Sequence, residues 1–168
     1  EAHRKQHAAA MARVPDVYAE CQDAFEEAFG RRPADRVVPY RMEDAEVALV
    51  SMGTTAATVR AAVDQVRARG VKAGALRVRM FRPFPELELR AAFAGCERIG
   101  VLDRDISLGH GGVLWSESRG VAPPECLVQG YMLGLGGGDI RPEHIVSLLD
   151  DLGARSTAGE PEIVEVAG

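Results

Sequence analysis

The chain has 168 residues, 46% of them hydrophobic and 27% charged, enough for one domain with a buried core and an added arm. Its net charge of −5 excludes a generally basic nucleic-acid binder, and no apolar stretch longer than Ala8–Ala12 occurs, which excludes a helical membrane span. Cys21, Cys96 and Cys126 are an odd, scattered set, against a disulfide framework or a cysteine-rich metal site. With no secretory signal at its start, the chain reads as cytoplasmic. Opening on Glu1 inside a helical pattern, it reads as a processed or excised piece of something longer.

In chain order, the spacing of Tyr18, Cys21, Phe25 and Ala28 or Phe29 predicts a helix with one packing face. Pro15 opens that helix or kinks a longer one from near Glu1, and Gly30 ends it. The arm then runs extended through Val37–Tyr40 to Asp44. Val47–Met52 is the nearly continuous apolar run of a central parallel strand, followed by a threonine able to cap a helix with Ala56, Val59, Val63 and Val66 on one side. Ala75–Met80 is a second strand that places Arg77 and Arg79 on one face. Because unpaired charge is costly to bury, this is an edge strand or a face that meets acids from a partner. Phe81–Pro85 is a stiff turn, and Pro85 opens a short helix carrying Glu86 and Glu88. Arg98–Leu102 is a third strand, a helix follows near Val113–Arg119, Leu127–Leu133 is a fourth strand, and Pro142 opens the last helix with Ile145, Leu148, Leu149 and Leu152 inward. This alternation predicts an α/β fold, an open, mostly parallel doubly wound sheet with an N-terminal helical arm. It divides into an arm and linker (1–44), an α/β domain (45–152) and a loose acidic tail (153–168).

Charge is uneven. Residues 67 to 90 carry seven Lys or Arg against Glu86 and Glu88, a strip that is either a contact surface or a solvated face. Gly109-His110-Gly111-Gly112 follows a strand and precedes a helix, so it is either a tight turn or a cradle for the phosphate of a nucleotide or acyl-CoA. No G-x-x-x-x-G-K-[ST] is present. His3 and His7 have metal-compatible spacing without the Glu or Cys that would complete a set, and His144 is an exposed first-turn residue. His110 lies near Asp103, Asp105 and Ser107, yet Ser107 has no G-x-S-x-G frame to present it as a nucleophile, and Cys96 reads as a small buried side chain. No catalytic, cofactor-binding or metal-binding residue is therefore assigned. Arg77, Arg79, Arg82, Asp103, Arg104, Asp105, Ser107, Gly109 and His110 are the candidate interface residues.

Five strings in register carry a resemblance: Tyr40-Arg41-Met42-Glu43-Asp44-Ala45-Glu46, Met52-Gly53-Thr54-Thr55, Phe81-Arg82-Pro83-Phe84-Pro85, Val101-Leu102-Asp103-Arg104-Asp105-Ile106-Ser107 with Gly109, and Gly134-Leu135-Gly136-Gly137. Together they resemble the second domain of the α chain of pyruvate:ferredoxin oxidoreductase, the counterpart of the transketolase C-terminal domain. The resemblance implies a non-catalytic assembly domain of an enzyme that converts a 2-oxoacid, by default pyruvate, and coenzyme A to acyl-CoA, carbon dioxide and reduced ferredoxin. It implies thiamine diphosphate, magnesium and iron–sulfur clusters in the parent complex but none in this chain. The implied partners are the thiamine-binding domain of the same α chain, β, γ and δ-type subunits or domains, and ferredoxin, with no nucleic acid and no membrane. Two positions depart from the pattern: Gly138 stands where similar chains have Arg, and Arg141 stands where a capping Thr or Ser is expected.

Overall fold

A computed structural model describes residues 1–166. Six strands form one sheet in the order β1-β3-β2-β4-β5-β6. They are β1 (Val37–Tyr40), β2 (Val47–Met52), β3 (Ala73–Val78), β4 (Arg98–Asp103), β5 (Leu127–Leu133) and β6 (Glu162–Val164). The helices are α1 (Ala2–Phe29), α2 (Thr55–Arg67), α3 (Glu86–Phe93), α4 (Val113–Val121) and α5 (Pro142–Ala154). All neighbouring strands run parallel except β1, which is antiparallel to β3.

Both faces of the sheet are covered, as the nearly continuous apolar run of β2 requires. Ala48, Val50, Leu76, Ile99 and Val101 meet Leu89 and Phe93 of α3 and Leu114 and Trp115 of α4. On the opposite face Val47, Leu49, Ala75 and Tyr131 meet Val59 and Val63 of α2 and Ile145, Leu149 and Leu152 of α5. Gly100 in β4 permits this second layer to close: a Cβ there would fall 2.5 Å from Leu49 Cδ2 and 3.0 Å from Leu152 Cδ2.

Several expectations are corrected. The second strand is not at an edge. Val37–Tyr40, expected only as extended linker, pairs with it as β1, so Arg77 and Arg79 owe their exposure to the open end of the sheet face. The tail supplies β6, in register with Tyr131–Leu133 of β5. It is held by Arg155, whose guanidinium donates to Asp151 (2.7 Å), Gln129 Oε1 (3.2 Å) and Glu162 (2.5 Å). Thr54 makes no side-chain cap on α2. His144 is half-buried rather than exposed, and its Nδ1 accepts the backbone N–H of Arg141 at 3.2 Å. This is the return half of a capping box, from the N3 side chain to the N-cap amide; the Arg141 side chain, a donor only, cannot supply the other half.

The predicted packing face of α1 is only partly covered, with Tyr18 and Phe25 half-buried and Cys21, Ala28 and Phe29 exposed. The helix is 28 residues, about 42 Å, long, with Pro15 in its interior, and Gln22 is its buried residue. Polar bonds tie it to the linker: Gln22 Nε2 donates to the carbonyl of Pro33 (2.9 Å), and the Tyr18 hydroxyl donates to that of Ala34 (2.7 Å). Val17 is 50% and Phe29 67% exposed. Among the described residues no helix is long and apolar enough to cross a membrane.

Candidate functional site

The carboxyl end of β4 delivers Asp103 beneath the first turn of α4. Asp103 is 1% exposed, and its two carboxylate oxygens accept the backbone N–H groups of Leu114 and Trp115, each at 2.9 Å. Gly112, the N-cap of α4, has no side chain to satisfy these amides, so a carboxylate from another element does so. Glycine is required at 112 by this close approach, because any Cβ there would collide with the Asp103 carboxylate. Burial raises the Asp103 pKa to about 6; the two amide bonds oppose that rise, and the nearby charge of Asp105 adds to it.

The loop beyond Asp103 turns back on itself. Ser107 N–H donates to the carbonyl of Gly111 (2.7 Å), and the N–H groups of His110 and Gly111 both donate to the carbonyl of Ser107 (2.9 and 3.0 Å). Gly109 lies at the tip, and neighbouring Leu108 is 88% exposed. His110 Nε2 is 2.8 Å from Ser116 Oγ, so it pairs with a serine of α4 and not with Ser107 or Asp103. An acid–histidine–serine relay is therefore not assembled. A phosphate cradle at Gly109–Gly112 is likewise opposed by the geometry, since the His110 and Gly111 amides are spent within the turn and those of Leu114 and Trp115 on Asp103.

The other candidates divide between two places. Arg82 makes a two-pronged ion pair with Glu117 of α4, and its guanidinium lies 4.0 Å from the centroid of the Phe81 ring, which joins the Phe81–Pro85 turn to the Asp103 loop region. Arg104 is exposed and reaches the carbonyls of Gly134 (3.4 Å) and Gly138 (3.5 Å). Arg77 and Arg79 lie at the other end, beside β1. Arg79 donates to the Tyr18 hydroxyl (3.2 Å) and the carbonyl of Ala34, whereas Arg77 has no carboxylate partner among the described residues. Most of the basic strip is internally neutralised: Arg67 pairs with Asp44, Arg69 with Asp150, Lys72 with Glu46 and Arg90 with Glu86. Glu117 and Ser116 are the partners that sequence reasoning missed, and Gly112 was read only as part of the glycine turn; Glu117 lies 35 residues from Arg82, too far for any local pattern to pair them.

Among the described residues no three His, Cys, Asp or Glu side chains converge on a point where a metal ion could sit. Cys96 and Cys126 are buried, and burial pushes the Cys126 thiol up to about 12, while Cys21 is exposed on α1. These residues do not fit an iron–sulfur cluster or the magnesium of a diphosphate. What the arrangement offers is a rigid, capped strand end carrying an exposed loop, with two groups of arginines flanking it.

The chain is 40% identical over 152 residues to the pyruvate synthase subunit PorA of Thermotoga maritima, covering 89% of this chain and 38% of that protein. It is 39% identical over 114 residues to the ketoisovalerate oxidoreductase subunit VorA of Pyrococcus furiosus, covering 66% of this chain and 29% of the relative. It thus spans well under half the length of these relatives. The 2-oxoglutarate:ferredoxin oxidoreductase of Magnetococcus marinus, solved with 2-oxoglutarate, coenzyme A and succinyl-CoA bound, shares the fold, with a TM-score of 0.57 at 22% identity over 76% of this chain and 21% of that one. Residues 45–145 match the pyruvate:ferredoxin oxidoreductase core domain II, and the chain belongs to that family.

Proposed function

We propose that this chain is a non-catalytic assembly domain of a 2-oxoacid:ferredoxin oxidoreductase that forms acyl-CoA, carbon dioxide and reduced ferredoxin from a 2-oxoacid and coenzyme A. The observation that carries the reading is α1, a helix of about 42 Å that leaves Val17 and Phe29 exposed instead of laying them on its own domain. Large apolar side chains in water on a projecting element mark a surface that another chain or domain covers. Leu108, at 88% exposure on the loop after Asp103, gives a second contact point. Pyruvate is the default 2-oxoacid, since pyruvate synthase subunits are among the relatives and the ketoisovalerate enzyme subunits share the same domain. Thiamine diphosphate, magnesium and the iron–sulfur clusters would be held by other domains or subunits, among them the thiamine-binding domain of the same α chain, and electrons would leave to ferredoxin. Arg77, Arg79, Arg82, Arg104, Asp105, Ser107, Gly109 and His110 would then orient the contacts, with Asp103 fixing the loop that carries them.

Two measurements test this. Calorimetric titration of the chain with thiamine diphosphate and magnesium should show no binding; micromolar affinity would refute the reading. In the assembled enzyme, Phe29→Asp and Leu108→Asp should release this polypeptide from its neighbours on size-exclusion chromatography while leaving its own thermal unfolding within about 0.5 kcal/mol, as expected for exposed sites. Complexes that stay intact with both substitutions present would equally overturn it.

A further inference from the structure

On the α2 face of the sheet, a cleft of about 510 Å³ opens at the carboxyl ends of β2 and β3. Its size falls in the range of small-molecule sites. β1 and β3 form its floor, the first turn of α2 forms one wall through Ala56 and Ala57, and the linker at Arg31–Ala34 closes the far side. Of its five arginines, Arg32 pairs with Asp23 and Arg79 donates to Tyr18 and Ala34, whereas Arg31, Arg60 and Arg77 have no carboxylate within ion-pairing distance among the described residues. Arg60 is held in place by stacking on Tyr40, 4.3 Å from the ring centroid, and Tyr40 is fixed in turn by its hydroxyl bond to Asp64 (2.8 Å). Arg31 stacks on Phe25 at 4.9 Å. Unpaired guanidinium groups gathered in one concave site create a strong positive potential, and their planar forks suit phosphate oxygens.

Two further observations point to a ligand here. Ser51, which faces Arg77 across β2 and β3, lines the cleft at 1% exposure, and its hydroxyl has no hydrogen-bond partner. A buried hydroxyl left unsatisfied costs free energy that a bound acceptor recovers. The α2 N-terminus beside it has no side-chain cap, in contrast to α4, where Asp103 already occupies the equivalent place. An unpartnered hydroxyl and three guanidinium groups without carboxylate partners thus meet in a single cavity against the first turn of α2.

We infer that this cleft binds the phosphoryl group of a phosphorylated small molecule, with Arg60 and Arg77 as its principal cationic contacts and Ser51 and the first turn of α2 completing the site. Calorimetric titration of the chain at low ionic strength with inorganic phosphate, ribose 5-phosphate and ADP is the test. At least one should bind saturably, and Arg60→Gln and Arg77→Gln should each weaken it about five- to tenfold. Ser51→Ala should weaken it severalfold without unfolding the chain. Arg119→Gln, on α4 and away from the cleft, should change nothing. Tighter binding of ribose 5-phosphate or ADP than of phosphate identifies an organic phosphate ester as the ligand. Equal affinity for all three identifies free phosphate and overturns that part of the proposal. No saturation by any of them, equal weakening by Arg119→Gln, or tighter binding of a poly-aspartate peptide than of every phosphate would overturn it entirely.

Discussion

Asp103 gives the most exacting test of how the strand end is built. Its carboxylate is buried and doubly bonded to the first amides of α4, yet burial outweighs those bonds and lifts its pKa from the ordinary 3.8 to about 6. Folding therefore tightens proton binding at this group. Between about pH 4 and pH 6 the folded chain holds more protons here than the unfolded chain, so stability contributed by Asp103 falls as pH rises through that window. It is fully present below pH 4, and the loss complete above pH 6 is about 3 kcal/mol. Asp103→Asn removes the titration while leaving one carbonyl oxygen to accept an amide. The difference in unfolding free energy between the native chain and this variant isolates Asp103 from every other carboxylate. Urea unfolding at half-unit steps from pH 4 to pH 7 measures it, with Trp115, the one tryptophan of the chain, as a fluorescent reporter whose own amide is bonded to Asp103. The native chain should lose about 2–3 kcal/mol relative to the variant across the window. Parallel curves, or a native chain that gains on the variant with rising pH, would show that the helix amides dominate over burial and that the electrostatic account is wrong.

Other outcomes follow from packing. Gly100→Ala places a methyl group 2.5 Å from Leu49 and 3.0 Å from Leu152 across two packed layers, and should cost about 1–3 kcal/mol in denaturant unfolding; an unchanged midpoint would mean that the α5 layer is looser than its geometry implies. Arg155→Gln should free β6 from the sheet. Amide exchange at Ile163 and Val164 should accelerate at least about tenfold while the core of β4 and β5 stays protected, because Arg155 is the side chain that bonds Asp151, Gln129 and Glu162 together.

The parallel core was legible in the sequence because its signals are local. Val47–Met52 is apolar but for Ser51, α2 repeats its Val and Ala residues at helical spacing, and each turn from β2 to α5 carries glycine or proline. The sheet edges were not legible. β1 is four residues long and contains Pro39, and β6 is three residues long with two acids around it, so neither carries a periodic pattern. Each exists through a long-range partnership: β1 with β3, and β6 with β5 under the clasp of Arg155. The packing face expected of α1 is covered only in part, at Tyr18 and Phe25, for a related reason. A stripe of Tyr, Cys and Phe specifies that a helix has something to cover it, but not that the covering surface lies in the same chain.

At the candidate site the same division separates residue type from residue partner. The alternation Asp103-Arg104-Asp105 at a strand end, with glycines to follow, was visible as an unusual polar loop, but the opposite fates of its two acids were not. Asp103 turns inward because Gly112, nine residues on, vacates the space that its carboxylate needs and leaves two amides for it to satisfy. Asp105 stays at the surface, where its charge raises the proton affinity of its neighbour. Once Asp103 is committed to α4, the glycine turn above it cannot use those amides to hold an anion, and the turn is left to present Leu108 outward. Internal capping of α4 thus argues against the anion cradle that the loop sequence allowed. α2, which starts at the same carboxyl end of the sheet, has no such side-chain cap, so the two helix starts differ in how their amides are used.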